Sequence, residues 1–458
     1  MGDGEGQREP EGLQDLHLLD GLLARGRQDA QRPPGGAPGK GMLRLPGIRP
    51  GRGRQRRWGS KGVWFYDKHI HLLSLSIAFF GGWTLIRRLL LTGLIVTFIG
   101  LSGAIEITVG PKDSDFSSIQ DAVNAARAGD LIEVRGGIYH ENVVVDKKLD
   151  LEGLGEPVVD AGGKGSTFAL LAGGVALNGF IITGSRNLPG QMEAGIKAIS
   201  GNNNISNNAV TGNVNGIMLE SSNDSIIINN KVYGNRENGI YLDSSQRNAL
   251  VGNNVSNNGH DSGGTGIYLY MRCNYNSIRD NEVHNNGLDG IMISSSDNNT
   301  IQHNNASANG EGGIHLNCGS LNNTVTMNNA TKNKFGIYLT VAMSSWIYLN
   351  NFFNNTENAR SWSSTNFWNS RGLVRYSYDS SNYNNYTGNH WSDYSGNDTN
   401  NDGLGDEPYT IGPDSLPYPI MQEEASLWAM NPDFADADLY PLMWRYEVYN
   451  ATDAGSRS

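Results

Sequence analysis

The long central part of this sequence has no apolar run at helical spacing that would be long enough to form a helix. This absence argues against repeats built from helix pairs and against leucine-rich repeats. The chain also lacks a compelling nucleophile, a clear acid–base motif and any Cys-His or Met-rich ligand motif. These absences favour a binding protein over an enzyme.

Basic residues are too few after residue 104 to balance the acidic ones. Of the chain's 35 basic and 46 acidic residues, 15 and 8 lie in residues 1–104, which leaves 20 and 38 for residues 105–458. The net charges of the two parts are therefore +7 and −18. An acidic body argues against nucleic acid as the main partner, and it permits divalent cations and neutral or cationic ligands.

What the sequence does contain is a regular repeat of Gly-Ile pairs, separated by 21, 23, 27, 24, 23 and 23 residues. The pairs are Gly195-Ile196, Gly216-Ile217, Gly239-Ile240, Gly266-Ile267, Gly290-Ile291, Gly313-Ile314 and Gly336-Ile337. Self-similarity at such a period marks a stacked-repeat architecture. Each unit is too short to bury its own apolar face, so it must stack on its neighbours.

A second repeat, of amide-rich pairs, runs half a period out of phase with the glycines. Its members are Asn207-Asn208, Asn229-Asn230, Asn253-Asn254, Asp280-Asn281, Asn304-Asn305, Asn328-Asn329 and Asn350-Asn351. Asparagine suits stacked ladders because its side-chain amide donates to one neighbour and accepts from the next. It also tolerates the left-handed backbone that tight corners need.

Short β-type runs such as Gly239-Ile-Tyr-Leu242 lie between these turn residues. Alternation puts Ile and Leu on one face, and one coil of a parallel β-helix needs about this many residues. Propeller blades are the main alternative, but each blade needs about 40 residues. The predicted fold is all-β: a right-handed, single-stranded parallel β-helix of about ten coils, with an N-terminal amphipathic helix cap and an irregular C-terminal cap.

The only two cysteines, Cys273 and Cys318, follow repeat glycines by 7 and 5 residues and lie two coils apart. Two coils span about 10 Å along the axis, which is too far for a disulfide. We therefore predict two free, largely structural thiols.

The N-terminal part divides into two segments. Residues 1–60 are rich in Gly, Pro and Arg, which is typical of a disordered basic segment or of sequence upstream of the true start. Residues 61–104 contain a signal peptide or anchor, because Arg87-Arg88 precedes an apolar run and a small-residue end. An earlier apolar stretch leaves open a retained membrane anchor through residues 71–104. The expected location is secreted or cell-surface.

Residues 105–190 are predicted to form the N-terminal cap and the first coils. Ser117-Ser-Ile-Gln120 matches a capping box, and Ile119, Ala122, Val123 and Ala126 fall on one helical face behind it. Strands are expected at 131–134, 143–145 and 149–151. The regular repeats are assigned to 191–351, the C-terminal cap with an Asp-rich loop to 352–443, and the tail to 444–458.

Three groups of motifs carry a family resemblance. The first is the run from Ser118 to Asp130 with Gly137-Ile-Tyr139 and Glu141-Asn-Val143, and the second is the set of Asn-rich coils to about residue 351. The third is Gly388-Asn-His-Trp-Ser-Asp-Tyr394, Asp402-Gly-Leu-Gly-Asp406 and Asp438-Leu-Tyr-Pro-Leu-Met443. Together they resemble NosD-like right-handed parallel β-helix proteins, with the ending common in secreted archaeal members.

The resemblance covers about residues 105–443 and implies a fold more strongly than an activity. Related β-helices include polysaccharide lyases, hydrolases, epimerases, surface proteins and a periplasmic factor for copper-enzyme maturation, so the fold alone does not select a function.

The segment from Asp398 to Asp406 matches the first part of a calcium loop. Oxygen side chains occupy positions 1, 3, 5 and 9, and glycine occupies position 6. The oxygen donors are Asp398, Asn400, Asp402 and Asp406. Position 12 is Tyr409 and not Glu, so the match is incomplete. We predict a Ca²⁺ site here, with a solvated acidic turn as the alternative.

The residue after each Gly-Ile pair is predicted to point outward and to form a stripe. Its members are Lys197, Met218, Tyr241, Tyr268, Met292, His315 and Tyr338. Aromatic rings can stack on the C–H faces of sugars, so we expect Tyr241, Tyr268, Tyr338 and the nearby Tyr270 to contact glycan. Ordinary filling of a β-surface is the alternative.

Two residues after the outward stripe, Glu220 and Asp243 occupy equivalent places in neighbouring coils, with their backbones about 5 Å apart. Such a pair can divide into acid and base or share a cation. Arg247 and Arg272 lie nearby in register and are candidates to stabilise a uronate. A solvated pair of surface acids is the alternative.

His260 and His284 each precede a repeat glycine by 6 residues. If that register holds, the two imidazoles stack and bind copper or zinc. Counted from the asparagine pairs, the two histidines fall at different positions in their coils, because the insertion His260–Gly264 lies between them. Exposed loop histidines are the alternative.

Asn-x-Ser/Thr sequons are frequent, and in a secreted protein a minority of them are expected to carry glycan. They include Asn204, Asn223, Asn254, Asn298, Asn305, Asn322, Asn329, Asn354, Asn385 and Asn397.

The function favoured by the sequence is an exported surface or envelope protein that binds glycans or neighbouring proteins without catalysis. The first alternative is a polysaccharide lyase, glycoside hydrolase or epimerase that acts on the side of the helix. The second is a periplasmic copper delivery or maturation factor, which the resemblance alone suggests. Ca²⁺ is the single cofactor predicted.

Overall fold

The protein is a parallel β-helix built from three long sheets, as predicted. The computed structural model describes residues 104–188, 190–411 and 436–451. The predicted basic segment 1–60, nearly all of the predicted signal or anchor, and part of the C-terminal cap and tail lie outside the described residues. No helix in the described ranges is long and apolar enough to cross a membrane.

Each coil contributes one strand to each sheet, and the chain visits sheets A, B and C in turn. Sheet A has 12 strands: Glu106–Val109, Leu131–Arg135, Asp150–Leu154, Ala176–Asn178, Asn204–Ser206, Ile226–Ile228, Ala249–Val251, Ser277–Arg279, Thr300–Gln302, Thr324–Thr326, Met343–Tyr348 and Thr365–Phe367. Sheet B has 11 strands: Ile138–Tyr139, Val158–Asp160, Ile181–Thr183, Ala209–Thr211, Lys231–Tyr233, Asn254–Ser256, Glu282–His284, Asn305–Ser307, Asn329–Thr331, Asn351–Phe353 and His390–Trp391. Sheet C has 10 strands: Val143–Val145, Phe168–Leu170, Ala194–Ala198, Asn215–Glu220, Ile240–Asp243, Ile267–Tyr270, Ile291–Ser294, Gly312–Asn317, Phe335–Thr340 and Glu357–Trp362.

The remaining elements lie at the two ends. Helix α1 spans Ile119–Ala125, and a 3-10 helix spans Tyr446–Tyr449. Two antiparallel pairs join Val374–Tyr378 to Ser381–Asn385 and Tyr409–Thr410 to Ala437–Asp438. All three sheets contain strands before residue 191 and after residue 351, so the parallel coils continue on both sides of the predicted repeat region 191–351.

The Gly-Ile pairs line up in one column inside sheet C, as predicted. The seven isoleucines are successive register partners, and all are fully buried. The preceding glycine is required by crowding at the corner. A Cβ added to Gly216 would lie 2.4 Å from Val232 Cγ1 and 2.5 Å from the Gly239 carbonyl oxygen. The repeat is thus a packing signal.

One asparagine of each predicted pair belongs to a buried ladder that follows the helix axis. The rungs are Asn208, Asn230, Asn253, Asn281, Asn304, Asn328, Asn350 and Asn389. The Asn230 backbone N–H donates to Asn253 Oδ1 at 3.0 Å, and Asn230 Nδ2 donates to the Ile205 carbonyl at 2.9 Å. These amides satisfy backbone groups that the corners would otherwise leave unpaired.

Two further asparagine ladders accompany the first, and neither was predicted. One contains Asn213, Asn235, Asn258, Asn286, Asn309, Asn333 and Asn355. The other contains Asn248, Asn276, Asn299 and Asn323. Their signal in the sequence is an asparagine five residues after each rung from Asn208 to Asn350, and five residues before each rung from Asn253 to Asn328.

Helix α1 covers the open end of the first coil, and Ile119, Ala122 and Val123 are fully buried as predicted. The predicted capping box is misplaced by one residue. Ser118 is the N-cap, and its hydroxyl accepts from the Asp121 N–H at 3.2 Å. The carboxylate that accepts from the first N–H groups of the helix belongs to Glu141, which lies in a later turn. The prediction missed it because local sequence does not show which distant carboxylate reaches a helix start.

The C-terminal cap is built around Asp438, which is fully buried. Its carboxylate accepts from the backbone N–H of Asn389 at 2.6 Å, from Trp391 Nε1 at 2.9 Å and from the backbone N–H of Tyr440 at 3.0 Å. Gly388 has no room for a side chain, since an added Cβ would lie 1.8 Å from Asp438 Oδ1. Two of the tail motifs named above therefore bind each other and end the first asparagine ladder.

Candidate ligand-binding face of sheet C

The outer face of sheet C carries two parallel columns of side chains, which we call the outer strip. The inner column contains Lys197, Met218, Tyr241, Tyr268, Met292, His315, Tyr338 and Arg360. The second column contains Glu220, Asp243, Tyr270, Ser294, Asn317, Thr340 and Trp362. Strand alternation places them outside, because every second residue points into the apolar interior.

Three of the four predicted tyrosines form one cluster on this strip. Ring centroids are 5.5 Å apart for Tyr241 and Tyr268, 6.4 Å for Tyr241 and Tyr270, and 5.7 Å for Tyr268 and Tyr270. Burial raises the pKa of Tyr268 to about 12, so its hydroxyl is protonated at neutral pH. Tyr338 lies apart from them and stacks on His315 at 4.4 Å.

Tyr241 was predicted to offer an exposed ring, and this is wrong. Its exposed fraction is 5%, because neighbouring side chains cover it on both sides of the column. Burial, followed by the charge of Asp243, raises its pKa. Tyr268 and Tyr270 are half-buried and so keep part of their surface exposed. The ring surface available to a ligand therefore comes from these two residues.

The predicted acid pair is in register, but Arg247, one of its two predicted arginine partners, is engaged elsewhere. Glu220 and Asp243 are direct partners in adjacent coils, and Lys197 Nζ lies 3.3 Å from Glu220 Oε2. Arg247 pairs with Asp224 in the exposed turn beyond sheet C, at 2.7 Å and 2.8 Å, and lowers the pKa of that carboxyl. Arg272 is exposed in the equivalent turn one coil later.

A buried Asp–His pair occupies the middle of the strip, and sequence reasoning missed its acid. Asp289 Oδ2 lies 3.0 Å from His315 Nδ1, and Asp289 Oδ1 accepts from the Gly312 backbone N–H at 2.7 Å. The side chains are 3% and 8% exposed. The available signal was the position of Asp289 directly before Gly290-Ile291, where the same column holds Asn215, Asn238 and Thr265.

The predicted histidine stack does not form. His284 pairs in register with Ser256, whereas His260 lies in the inserted turn after the strand that ends at Ser256. The insertion shifts His260 out of register with His284, so the positions counted from the asparagine pairs are the correct ones. No group of three or more His, Cys, Asp or Glu side chains in the described part of the chain is arranged to hold a metal ion.

Both cysteines are free, as predicted. Cys273 is buried in a corner ladder, where its Sγ accepts from the Ser245 N–H at 3.3 Å and burial raises its pKa to about 11. Cys318 is exposed, so the structural role expected for it is wrong. It occupies a turn outside the apolar interior.

In the Asp-rich loop the carboxylates hold the turn itself. Asp398 accepts from the backbone N–H groups of Asp402 and Gly403 at 3.1 Å and 2.9 Å. Asn400 Oδ1 accepts from the Asp402 N–H at 3.0 Å, and Asp406 Oδ2 accepts from the Thr399 N–H at 2.8 Å. The calcium site at Asp398, Asn400, Asp402 and Asp406 stays a prediction.

Comparison with known proteins points to one family and to surface proteins. Residues 181–265 and 254–396 match the model of the family described as periplasmic copper-binding protein (NosD). A cell surface glycoprotein of Methanothermus fervidus is 32% identical over 102 residues, which is 22% of this chain and 17% of that protein.

Solved structures with similar folds include the Dettilon tailspike protein and a module of a mannuronan C-5 epimerase. The tailspike is 17% identical with a TM-score of 0.43, over 52% of this chain and 53% of its own. The A-module of the Azotobacter vinelandii mannuronan C-5 epimerase AlgE4 is 15% identical with a TM-score of 0.42, over 54% of this chain and 86% of its own.

Proposed function

Because the chain belongs to the NosD-like family of parallel β-helix proteins, we propose that it is an exported surface or envelope protein that binds glycans along the outer strip of sheet C. The observation that carries the proposal is the strip itself. It holds two half-buried tyrosine rings, a third aromatic site at Tyr338 and polar side chains in unbroken register over eight coils. At strand spacing, eight coils measure about 34 Å, which suits an extended polymer.

The charges of the strip favour a neutral glycan. Glu220, Asp243, Asp289 and Glu357 lie on or beside it, while Lys197 pairs with Glu220 and Arg360 pairs with Glu357. The carboxylates are thus in excess over free cations, and an acidic polymer would be repelled.

The positions of the sequons support the choice of face. None of the ten sequons named above falls within a strand of sheet C. Asn204, Asn305 and Asn322, by contrast, are exposed on sheets A and B or in turns. Glycans attached at those positions would leave the strip open for a ligand. The surface location is further supported by the relative from Methanothermus fervidus, which is itself a cell surface glycoprotein.

A panel of neutral and acidic oligosaccharides, followed by calorimetric titration, tests the proposal. The double variant Tyr268→Ala, Tyr270→Ala should weaken binding of a neutral oligosaccharide about tenfold or more, because each ring supplies roughly 1 kcal/mol of contact. Tyr233→Ala, which removes a more exposed ring from sheet B, is the control and should bind normally. Equal affinities for all three proteins would refute the strip as the binding face.

A carbohydrate-cleaving or epimerising enzyme is the second candidate, favoured by the register of Glu220 and Asp243. The ion pair of Glu220 with Lys197 weighs against a free acid–base couple. If polysaccharide cleavage is detected and Glu220→Gln leaves its rate unchanged, this acid pair plays no part in it. No contact in the described residues favours metal delivery, since His260 and His284 are out of register.

A further inference from the structure

A carboxylate, an imidazole and a hydroxyl from three successive coils line up on the outer strip. Asp289 Oδ2 is 3.0 Å from His315 Nδ1, and His315 Nε2 is 3.4 Å from Thr340 Oγ1. We propose that these three residues, the hydroxyl relay, make Thr340 a nucleophile toward O-acyl esters on the glycans that the strip binds. The substrate class rests on the proposed function, whereas the reactivity of Thr340 rests on this geometry alone.

The first half of the relay is rigid. Asp289 and His315 are almost completely buried, and Asp289 is also anchored by the Gly312 backbone N–H. The imidazole is held flat against Tyr338, with centroids 4.4 Å apart and planes 23° apart. When Nδ1 donates its proton to the carboxylate, Nε2 is left as the acceptor. His315 is therefore oriented as a base that faces Thr340.

The second half of the relay is open to a ligand. Thr340 is half-buried at the end of its strand, whereas the His315 ring is nearly inaccessible. A bound ester would therefore meet the hydroxyl first, with the imidazole directly behind it. The 3.4 Å separation is long for a hydrogen bond, but such contacts are often loose without substrate and tighten in the complex.

A donor for the developing negative charge lies next to the hydroxyl. Asn317 is the direct register partner of Thr340 in the adjacent coil, and its side chain is half-buried on the same outer column. A side-chain amide in this position can donate N–H to the carbonyl oxygen as it becomes an oxyanion. Asn317 thus completes the set of roles that acyl transfer requires.

The chemistry proceeds in two balanced steps. Thr340 Oγ1 attacks the ester carbonyl carbon while its proton passes to His315 Nε2, and collapse of the tetrahedral adduct breaks the acyl C–O bond. The sugar hydroxyl leaves with that proton. Water then attacks the acyl-threonine with the same base, which releases the carboxylic acid and restores the free hydroxyl.

The test measures hydrolysis of p-nitrophenyl acetate and covalent labelling by a fluorophosphonate, with the labelled peptide identified by mass spectrometry. The unaltered protein should hydrolyse the ester and be labelled on Thr340. Thr340→Val should lower the rate about 100-fold or more, while Thr340→Ser should retain it. Thr300→Val, which removes a half-buried strand hydroxyl from sheet A, should behave like the parent. Failure of the parent to hydrolyse the ester, or label on another residue, would overturn the proposal.

The base His315 and Asp289, the residue that positions it, are tested by separating kcat from KM. His315→Gln and Asp289→Asn, the latter of which keeps an acceptor for the Gly312 N–H, should lower kcat with KM unchanged. Unaltered kcat in either variant, with an intact thermal transition, would contradict the relay. Hydrolysis of p-nitrophenyl acetate requires no bound glycan, so it reports on the relay even where the oligosaccharide titration shows no binding. Loss of glycan binding and loss of the relay are therefore distinguishable outcomes.

Discussion

The two faces of sheet C share the same strands but follow different rules. The inward column repeats one residue, since the isoleucines of the seven Gly-Ile pairs are stacked partners without exception. The outward column in the same strands holds lysine, methionine, tyrosine and histidine. Packing imposes uniformity on the inside, because each rung meets an identical neighbour. The outside is free of that demand, so its variety is where ligand chemistry can be placed.

The largest effect should come from a matched pair of truncations in one strand. Ile291→Ala removes a fully buried inward side chain and should lower the free energy of unfolding by about 2–5 kcal/mol. Met292→Ala removes the half-buried outward neighbour and should cost less than about 1.5 kcal/mol. Urea denaturation followed by circular dichroism measures both. Equal losses would mean that the two faces are packed alike.

The next effect concerns the buried carboxyl that ends the asparagine ladder. Complete burial raises the pKa of Asp438 to about 7, against the pull of its N–H donors. The unfolded chain titrates this group near pH 3.9, so the protonated folded form gives stability that is complete below about pH 4 and is lost as pH rises through about 7. Stability should fall by up to about 1.4 kcal/mol per pH unit between those limits.

Unfolding measured from pH 4 to pH 8 in the parent and in Asp438→Asn checks this expectation. The variant keeps the shape of the group but does not titrate, so its pH dependence should be flatter. A parent and variant with parallel pH profiles would show that Asp438 is ionised throughout.

A third comparison separates inward from outward asparagines. Asn281→Ala breaks the middle of the first ladder and leaves the backbone N–H of Asn253 without its acceptor, at about 1–3 kcal/mol. Asn305→Ala alters an exposed asparagine on sheet B and should be nearly neutral. Thermal melts of the two variants give the ranking. A neutral Asn281→Ala would mean that the ladders add nothing to stability.

The smallest effect is expected at the Asp-rich loop. With a dissociation constant of about 1 mM, 10 mM calcium should stabilise the protein by about 1.4 kcal/mol. Differential scanning calorimetry with and without calcium measures the shift, and magnesium is the control cation. Asp398→Asn should abolish the calcium response. An unchanged transition in the parent would leave the loop as an acidic turn held by its own hydrogen bonds.

Much of the fold was predictable because its signals are local and repeated. The Gly-Ile spacing, the helix face of Ile119, Ala122 and Val123, and the free cysteines all follow from short-range patterns. The errors arose where distance along the chain conceals neighbours. His260 and His284 share an offset from glycine, but the insertion between them changes which residues stack. Tyr241 points outward as expected, and only the surrounding side chains determine that it is covered.

The candidate relay marks the limit of local inference. Asp289, His315 and Thr340 are about 25 residues apart in sequence, and none carries a motif. They meet because one coil of backbone brings each residue back to almost the same angular position.

Sequence alone determined the period, the alternation and the identity of the inward residues, since identical rungs must pack on each other. The tertiary structure decided which outward side chains touch and which stay exposed, because insertions and side-chain sizes in neighbouring coils set those contacts.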